Sequence, residues 1–201
     1  MTVVIADYGA GNLRSVVSAL RRAGAEADVT TDPADVRDAS LAVNAGVGHD
    51  ESAARGLAAT GLDDALRERV ASGRPVLGIC VGMQLLFEQS EEGGAGLGLL
   101  AGPVVRLRAR RIPHMGWNAL EATRPSALLR GVEGEDVYFA HSYAVVPSDP
   151  SVVAASVDHD GRPVIAIVEQ GPLAGVQFHP ERSGPTGARI LENALAWSRS
   201  V

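Results

Sequence analysis

Residues 78–82, Gly78-Ile79-Cys80-Val81-Gly82, hold the chain's one cysteine between two glycines. An apolar run reading as a buried strand, Val76 to Ile79, precedes the cysteine, and a helical pattern of Met83, Leu86 and Phe87 follows it. This is the Gly-x-Ser-x-Gly nucleophile elbow with sulfur in place of oxygen. A sharp strand-to-helix turn strains the backbone of its central residue, and small neighbours relieve the crowding. The start of a helix favours the thiolate, lowering a thiol from about 8.5 toward neutrality. Its first free amides, notably that of Val81, can hold an oxyanion. The competing reading is a cysteine that serves only as a small buried hydrophobe.

A cysteine nucleophile needs a base. His179 stands at the end of a predicted strand, in Val176-Gln177-Phe178-His179-Pro180-Glu181. Pro180 disfavours helical angles at His179 and so extends the chain. Residues two apart in extended chain project to one side, which lets Glu181 orient His179 and support its imidazolium. Cys80, His179 and Glu181 then form a triad, with the cysteine and the histidine at strand ends, where α/β sheets place their sites. An ordinary surface turn is the bland alternative for His179-Pro180-Glu181. His141, in Phe139-Ala140-His141-Ser142-Tyr143, is the second choice of base because no carboxylate stands two residues away. His49, His114 and His159 are expected in loops or on the surface. No close His/Cys/Asp/Glu pair has ligand spacing, so neither a metal nor another cofactor is expected. Gly9-Ala10-Gly11 lacks the third glycine of a dinucleotide fingerprint.

These residues must be carried by elements. Strands are predicted at Val3 to Ala6, Glu26 to Thr30, Leu41 to Asn44 and Val76 to Ile79, and helical stripes run through Leu13 to Leu20 and Leu62 to Val70. Asn12 is placed to cap the first helix. Alternation of this kind predicts a parallel sheet. After Glu92 strands dominate: Val104 to Arg108, Trp117 to Glu121, Val137 to Ala140, Val152 to Ser156, Val164 to Val168 and Leu173 to Gln177. Asp160-Gly161 has the composition of a hairpin turn. A last helix is signalled by Ile190, Leu191, Ala194 and Leu195. The fold class is α/β, a mixed and mainly parallel sheet flanked by helices with an antiparallel extension, in one domain over residues 1–201.

Composition narrows the function classes. A hydrophobic fraction of 46% excludes a disordered chain, and a net charge of -6 argues against nucleic acid as the main partner. Four arginines, Arg106, Arg108, Arg110 and Arg111, form either a solvated strand edge or a docking edge for an acidic surface. One cysteine excludes an internal disulfide. With no leader pattern and no apolar segment long enough to span a bilayer, no membrane is expected, and the expected location is the cytoplasm.

Several stretches together carry a family resemblance: Asp7 to Asn12, Gly78 to Glu88, Pro113 to Asn118, Tyr138 to Tyr143 and Gln177 to Ser183. In these the chain resembles the glutaminase subunits of imidazole glycerol phosphate synthase, which are class I, triad-type glutamine amidotransferases. The resemblance implies that Cys80 attacks the side-chain amide of glutamine, His179 protonates the departing ammonia, and water hydrolyses the thioester. It further implies oxyanion donors at Val47 and Val81, and glutamine contacts at Gly48, Gln84, Glu92, Ser142 and Tyr143. The implied partner is a (βα)₈-barrel cyclase in a heterodimer, facing Asn12, Met115, Trp117 and Arg182. Two positions depart from the family pattern: Ala45 stands where proline is usual, and Arg182 where lysine is usual. Two other readings stay open, a glutaminase subunit of another pathway and a catalytically silent Cys-elbow regulatory protein.

Overall fold

The computed structural model describes residues 1–9, 11 and 13–201. Strands and helices alternate through the first part: β1 (Thr2–Ala6), α1 (Leu13–Arg22), β2 (Glu26–Thr30), α2 (Pro33–Asp38), β3 (Leu41–Gly46), α3 (Asp50–Thr60), α4 (Leu62–Ala71), β4 (Val76–Cys80) and α5 (Val81–Gln84). Strands then take over: β5 (Gln89–Ser90), β6 (Pro103–Arg106), β7 (His114–Ala119), β8 (Glu121–Ala122), β9 (Asp136–His141), β10 (Tyr143–Val145), β11 (Val153–His159), β12 (Arg162–Gln170) and β13 (Leu173–Val176). The chain closes with α6 (Gly184–Trp197).

The main sheet runs β2-β1-β3-β4-β13-β12-β11-β8. It is parallel from β2 to β13 and antiparallel from β13 to β8. This is the mixed architecture expected from the sequence. At its centre β3, β4 and β13 are buried at every position, which is why they read as continuous apolar runs rather than alternating ones. Each Val, Leu or Ile buried there contributes roughly 1.5–3 kcal/mol of transfer free energy. The α1 stripe of Leu13, Val16, Ala19 and Leu20 is buried, as is the Leu62, Ala65 and Leu66 face of α4. The β11–β12 hairpin turns at Asp160-Gly161, with φ of 54° and 75°, the left-handed pair that a two-residue hairpin requires.

The structure corrects several details. Two helices, α2 and α3, had no clear apolar periodicity. The first is only six residues long, and the second buries only Ala53 and Leu57 among its apolar positions. The helix after Cys80 is a single turn, and beyond it the bonding tightens to three-residue turns, Leu86 N–H donating to the Met83 carbonyl and Phe87 N–H to that of Gln84. The strand expected from Trp117 begins at His114, and β3 continues to Gly46. Asn12, expected both as a helix cap and at a partner face, lies outside the described residues.

Candidate active site

Cys80 ends β4 with φ 54° and ψ −115°, a conformation that costs a non-glycine residue of order 1–3 kcal/mol. Packing on both sides imposes it. A side chain at Gly82 would land on the Asn44 carbonyl oxygen of β3, and one at Gly78 would come within 2.7 Å of the Gly82 carbonyl. Asn44 Nδ2 also donates to the Gly82 carbonyl at 3.1 Å, tying the elbow to the neighbouring strand. The thiol is thereby held at the sheet's carboxyl edge with its residue 3% exposed. Val81 is the first residue of α5, whose leading amides have no intrahelical acceptor.

His179 follows β13, the strand paired with β4. Its backbone N–H donates to the Tyr138 carbonyl at 2.9 Å, and its own carbonyl accepts from Ser183 Oγ at 2.7 Å. Ser183 Oγ in turn accepts from the Tyr138 N–H at 3.0 Å. Pinned in this way to β9, His179 presents Nδ1 to Glu181 Oε1 at 2.9 Å, both side chains being under a tenth exposed. Burial pulls the imidazole toward neutrality. Hydrogen bonding to Cys80 and Glu181, together with their charges, outweighs that pull and raises His179 to about 10. The structure thus brings Cys80, His179 and Glu181 together, and the arrangement favours the charged imidazolium of His179. Glu181 Oε2 is buried with no protein partner.

A cavity of about 230 Å³ opens beside the thiol, lined by Val47, Gly48, Cys80, Val81, Gln84, Glu92, Met115, His141, Ser142 and Tyr143 among others. Every residue expected to touch glutamine or its oxyanion is therefore on one wall or another. Gln84 Nε2 donates to the Tyr143 carbonyl at 2.9 Å and to Gln177 Oε1 at 3.0 Å, while Gln177 Nε2 lies 3.8 Å from the Cys80 sulfur. Gln177 and Ser183 were not singled out as functional from the sequence: the partners of Gln177 are distant in the chain, and Ser183 ties the nearby His179 carbonyl to the distant Tyr138 N–H. Glu92 accepts from the Asp50 N–H at 2.8 Å and pairs with His49 Nδ1 at 3.0 Å, bracing the segment after Val47. Asp50 itself is buried, and desolvation raises its carboxyl to about 6.

Met115, on the cavity wall, and Trp117, beyond it, are 64% and 54% exposed, unusual for large apolar side chains. Trp117 meets the Tyr138 ring edge-on at 5.8 Å, and the Arg182 guanidinium lies 5.8 Å from the same ring centroid. Met115, Trp117 and Arg182 thus sit in one neighbourhood. Two histidines depart from expectation: His114 and His159 are buried in strands β7 and β11, not on the surface. Strand alternation sends Met115 and Trp117 outward and His114 inward. Among the described residues no group of His, Cys, Asp or Glu is arranged to hold a metal, and no helix is long and apolar enough to cross a membrane.

The fold and this geometry agree with what comparison shows. The family model described as glutamine amidotransferase class-I matches residues 4–197. A solved structure titled as a glutamine amidotransferase superposes with a TM-score of 0.78 at 22% identity, covering 98% of both chains. The chain belongs to the class I glutamine amidotransferases. Within that class it is 48% identical over 198 residues to the imidazole glycerol phosphate synthase subunit HisH of Geobacillus kaustophilus, covering 94% of this chain and 93% of the relative. It is 47% identical to the subunit of the same name from Mycolicibacterium paratuberculosis, covering 96% of each. Its place is therefore among the HisH subunits.

Proposed function

We propose that the chain is the glutaminase subunit of an imidazole glycerol phosphate synthase and acts in histidine biosynthesis, within one domain and in the cytoplasm. Cys80 attacks the side-chain amide carbon of glutamine. The tetrahedral oxyanion is held by the amides of Val81 and Val47, and the ammonia nitrogen takes its proton from the His179 imidazolium. Glu181 keeps that imidazolium charged and correctly turned. Water, deprotonated by His179, then hydrolyses the thioester, and glutamate leaves. Gly48, Gln84, Glu92, Ser142 and Tyr143 hold the substrate. The partner is a (βα)₈-barrel cyclase that receives the ammonia, docking on Met115, Trp117 and Arg182, where exposed aromatic and cationic side chains have the character of interface anchors.

The observation that carries this reading is the hydrogen-bonded His179–Glu181 pair against Cys80, with a cavity of about 230 Å³ beside the thiol, in a chain close to half identical to HisH subunits. A glutaminase subunit of another pathway does not account for that identity, and a silent regulatory protein does not account for the triad. The test is ammonia release from glutamine by the chain with and without the cyclase subunit of the same organism. Hydrolysis that is weak alone and rises when the ligand-bound cyclase is added supports the proposal. No hydrolysis in either condition would remove it.

A further inference from the structure

His114 and His141 face one another at paired positions of the β7–β9 ladder, and both are buried. His114 Nδ1 and His141 Nε2 lie 3.0 Å apart. The remaining nitrogen of each ring is committed as a donor. Asn118 donates its side-chain amide to the Asp158 carbonyl at 2.8 Å, which turns its Oδ1 toward His114 Nε2, also at 2.8 Å. His141 Nδ1 meets the Tyr143 carbonyl at 2.7 Å, and a carbonyl can only accept. A neutral imidazole has one N–H. Two neutral rings would therefore spend both protons outward and oppose two lone pairs across the 3.0 Å gap. One additional proton converts that clash into a charge-assisted N–H···N bond.

We propose that His114 and His141 hold one proton between them, and that this buried positive charge is the counter-ion the cavity offers to the α-carboxylate of glutamine. The inference rests on the glutaminase reading. His141 lines the cavity beside Cys80, and Glu92 is the carboxylate on the same lining. Glu92 suits the substrate's ammonium group, and His141 is the one lining residue whose side chain can carry positive charge.

The surroundings act in both directions. Burial pushes His141 down to about 3 and lowers His114, and any charge on His159 or His179 opposes the shared proton. The Tyr143 carbonyl, Asn118 and the nearby Asp160 carboxylate favour it. Phe139 stacks on His114 at 4.5 Å and offers its ring face to the cation. His159 stacks on the imidazole at 4.0 Å and gives its own Nε2 proton to the Arg111 carbonyl at 2.8 Å, so its bonding needs no second proton. The two rings titrate as a unit, and the hydrogen bond lost on deprotonation belongs to the pair rather than to either ring.

Nitrogen-15 NMR of the histidine rings in the full chain at neutral pH tests the proton directly. A proton shared by His114 Nδ1 and His141 Nε2 is expected, and two unprotonated nitrogens would overturn the proposal. The counter-ion role is read kinetically, in the complex with the cyclase. His114→Phe should raise the KM for glutamine roughly two- to fivefold, the effect of losing one partly screened ion pair, with kcat within about twofold. The KM for L-glutaminamide, which lacks the carboxylate, should not move. His114→Asn, whose side-chain oxygen can accept the His141 proton, should restore most of the affinity. Equal KM changes for both substrates, or no rescue by asparagine, would contradict the counter-ion role. Glutamine hydrolysis by the unaltered complex in the same assay tests the glutaminase reading separately.

Discussion

The two residues that flank the reaction centre end neighbouring parallel strands in register, Gly46 of β3 beside Cys80 of β4, yet their surroundings differ sharply. Cys80 is fixed by close backbone packing at Gly78 and Gly82 and a hydrogen bond from Asn44 to the elbow, and it is buried but for the cavity beside it. One residue past Gly46 the chain is open: Val47 is 46% exposed, and Gly48 and His49 are also at the surface. The proposed nucleophile is packed in tightly, whereas the proposed second oxyanion donor sits on an exposed segment that Glu92 ties down only from His49 onward.

The largest effect should come from removing the nucleophile. Cys80→Ala should abolish glutaminase activity while the complex still makes product from free ammonia, measured with ammonium salts in place of glutamine. Retained glutamine hydrolysis would break the comparison at its rigid end. Next comes Gly82→Ala, which places a methyl group on the Asn44 carbonyl. Overpacking of this kind costs about 1–3 kcal/mol, so a lower thermal midpoint and a large activity loss are expected together. Normal stability and activity would mean that the elbow is not held by β3.

Glu181→Gln should preserve folding and lower kcat by about a hundredfold or more, because the imidazolium loses its charged partner. The pH profile gives the sign. His179 is raised from 6.5 to about 10, so the stabilisation of its charged form is complete below 6.5 and is lost as pH rises through about 10. Removing the carboxylate should move the alkaline limb of kcat/KM to lower pH. An unmoved limb would assign the raised value to Cys80 alone.

The smallest effect belongs to the open side. Proline at position 45, the usual residue of the family this chain resembles, fixes its own φ and restricts Asn44. The entropic part of such a change is about 0.4–1 kcal/mol. Basal hydrolysis without the partner should therefore be about 2–5-fold higher with Ala45 than in Ala45→Pro, and stimulated rates should differ less. Equal basal-to-stimulated ratios in the two proteins would mean that Ala45 is neutral.

The same contrast explains what the sequence made legible. The elbow could be read because its constraints are local: one cysteine, two glycines, an apolar strand before and a turn of helix after. His179 and Glu181 could be read because Pro180 extends the chain and strand geometry aligns residues two apart. The histidine pair could not, since His114 meets His141 through the β7–β9 pairing, 27 residues away, and stacks on His159 where β7 packs against β11, 45 residues away. Gln177 was missed because its contacts to Gln84 and Cys80 span 93 and 97 residues. Helix α3 carried little signal because an aspartate, an alanine and one leucine form its buried face, and a side chain at Gly56 would collide with the Tyr8 carbonyl.

The central claim, that a rigidly held Cys80 performs covalent catalysis on glutamine, is tested most directly by an electrophilic glutamine analogue and peptide mass spectrometry of the complex. The account predicts one adduct per chain, on Cys80, slowed by glutamine and absent in Cys80→Ala. An adduct on another residue, or glutamine hydrolysis that continues after Cys80 is fully labelled, would contradict it.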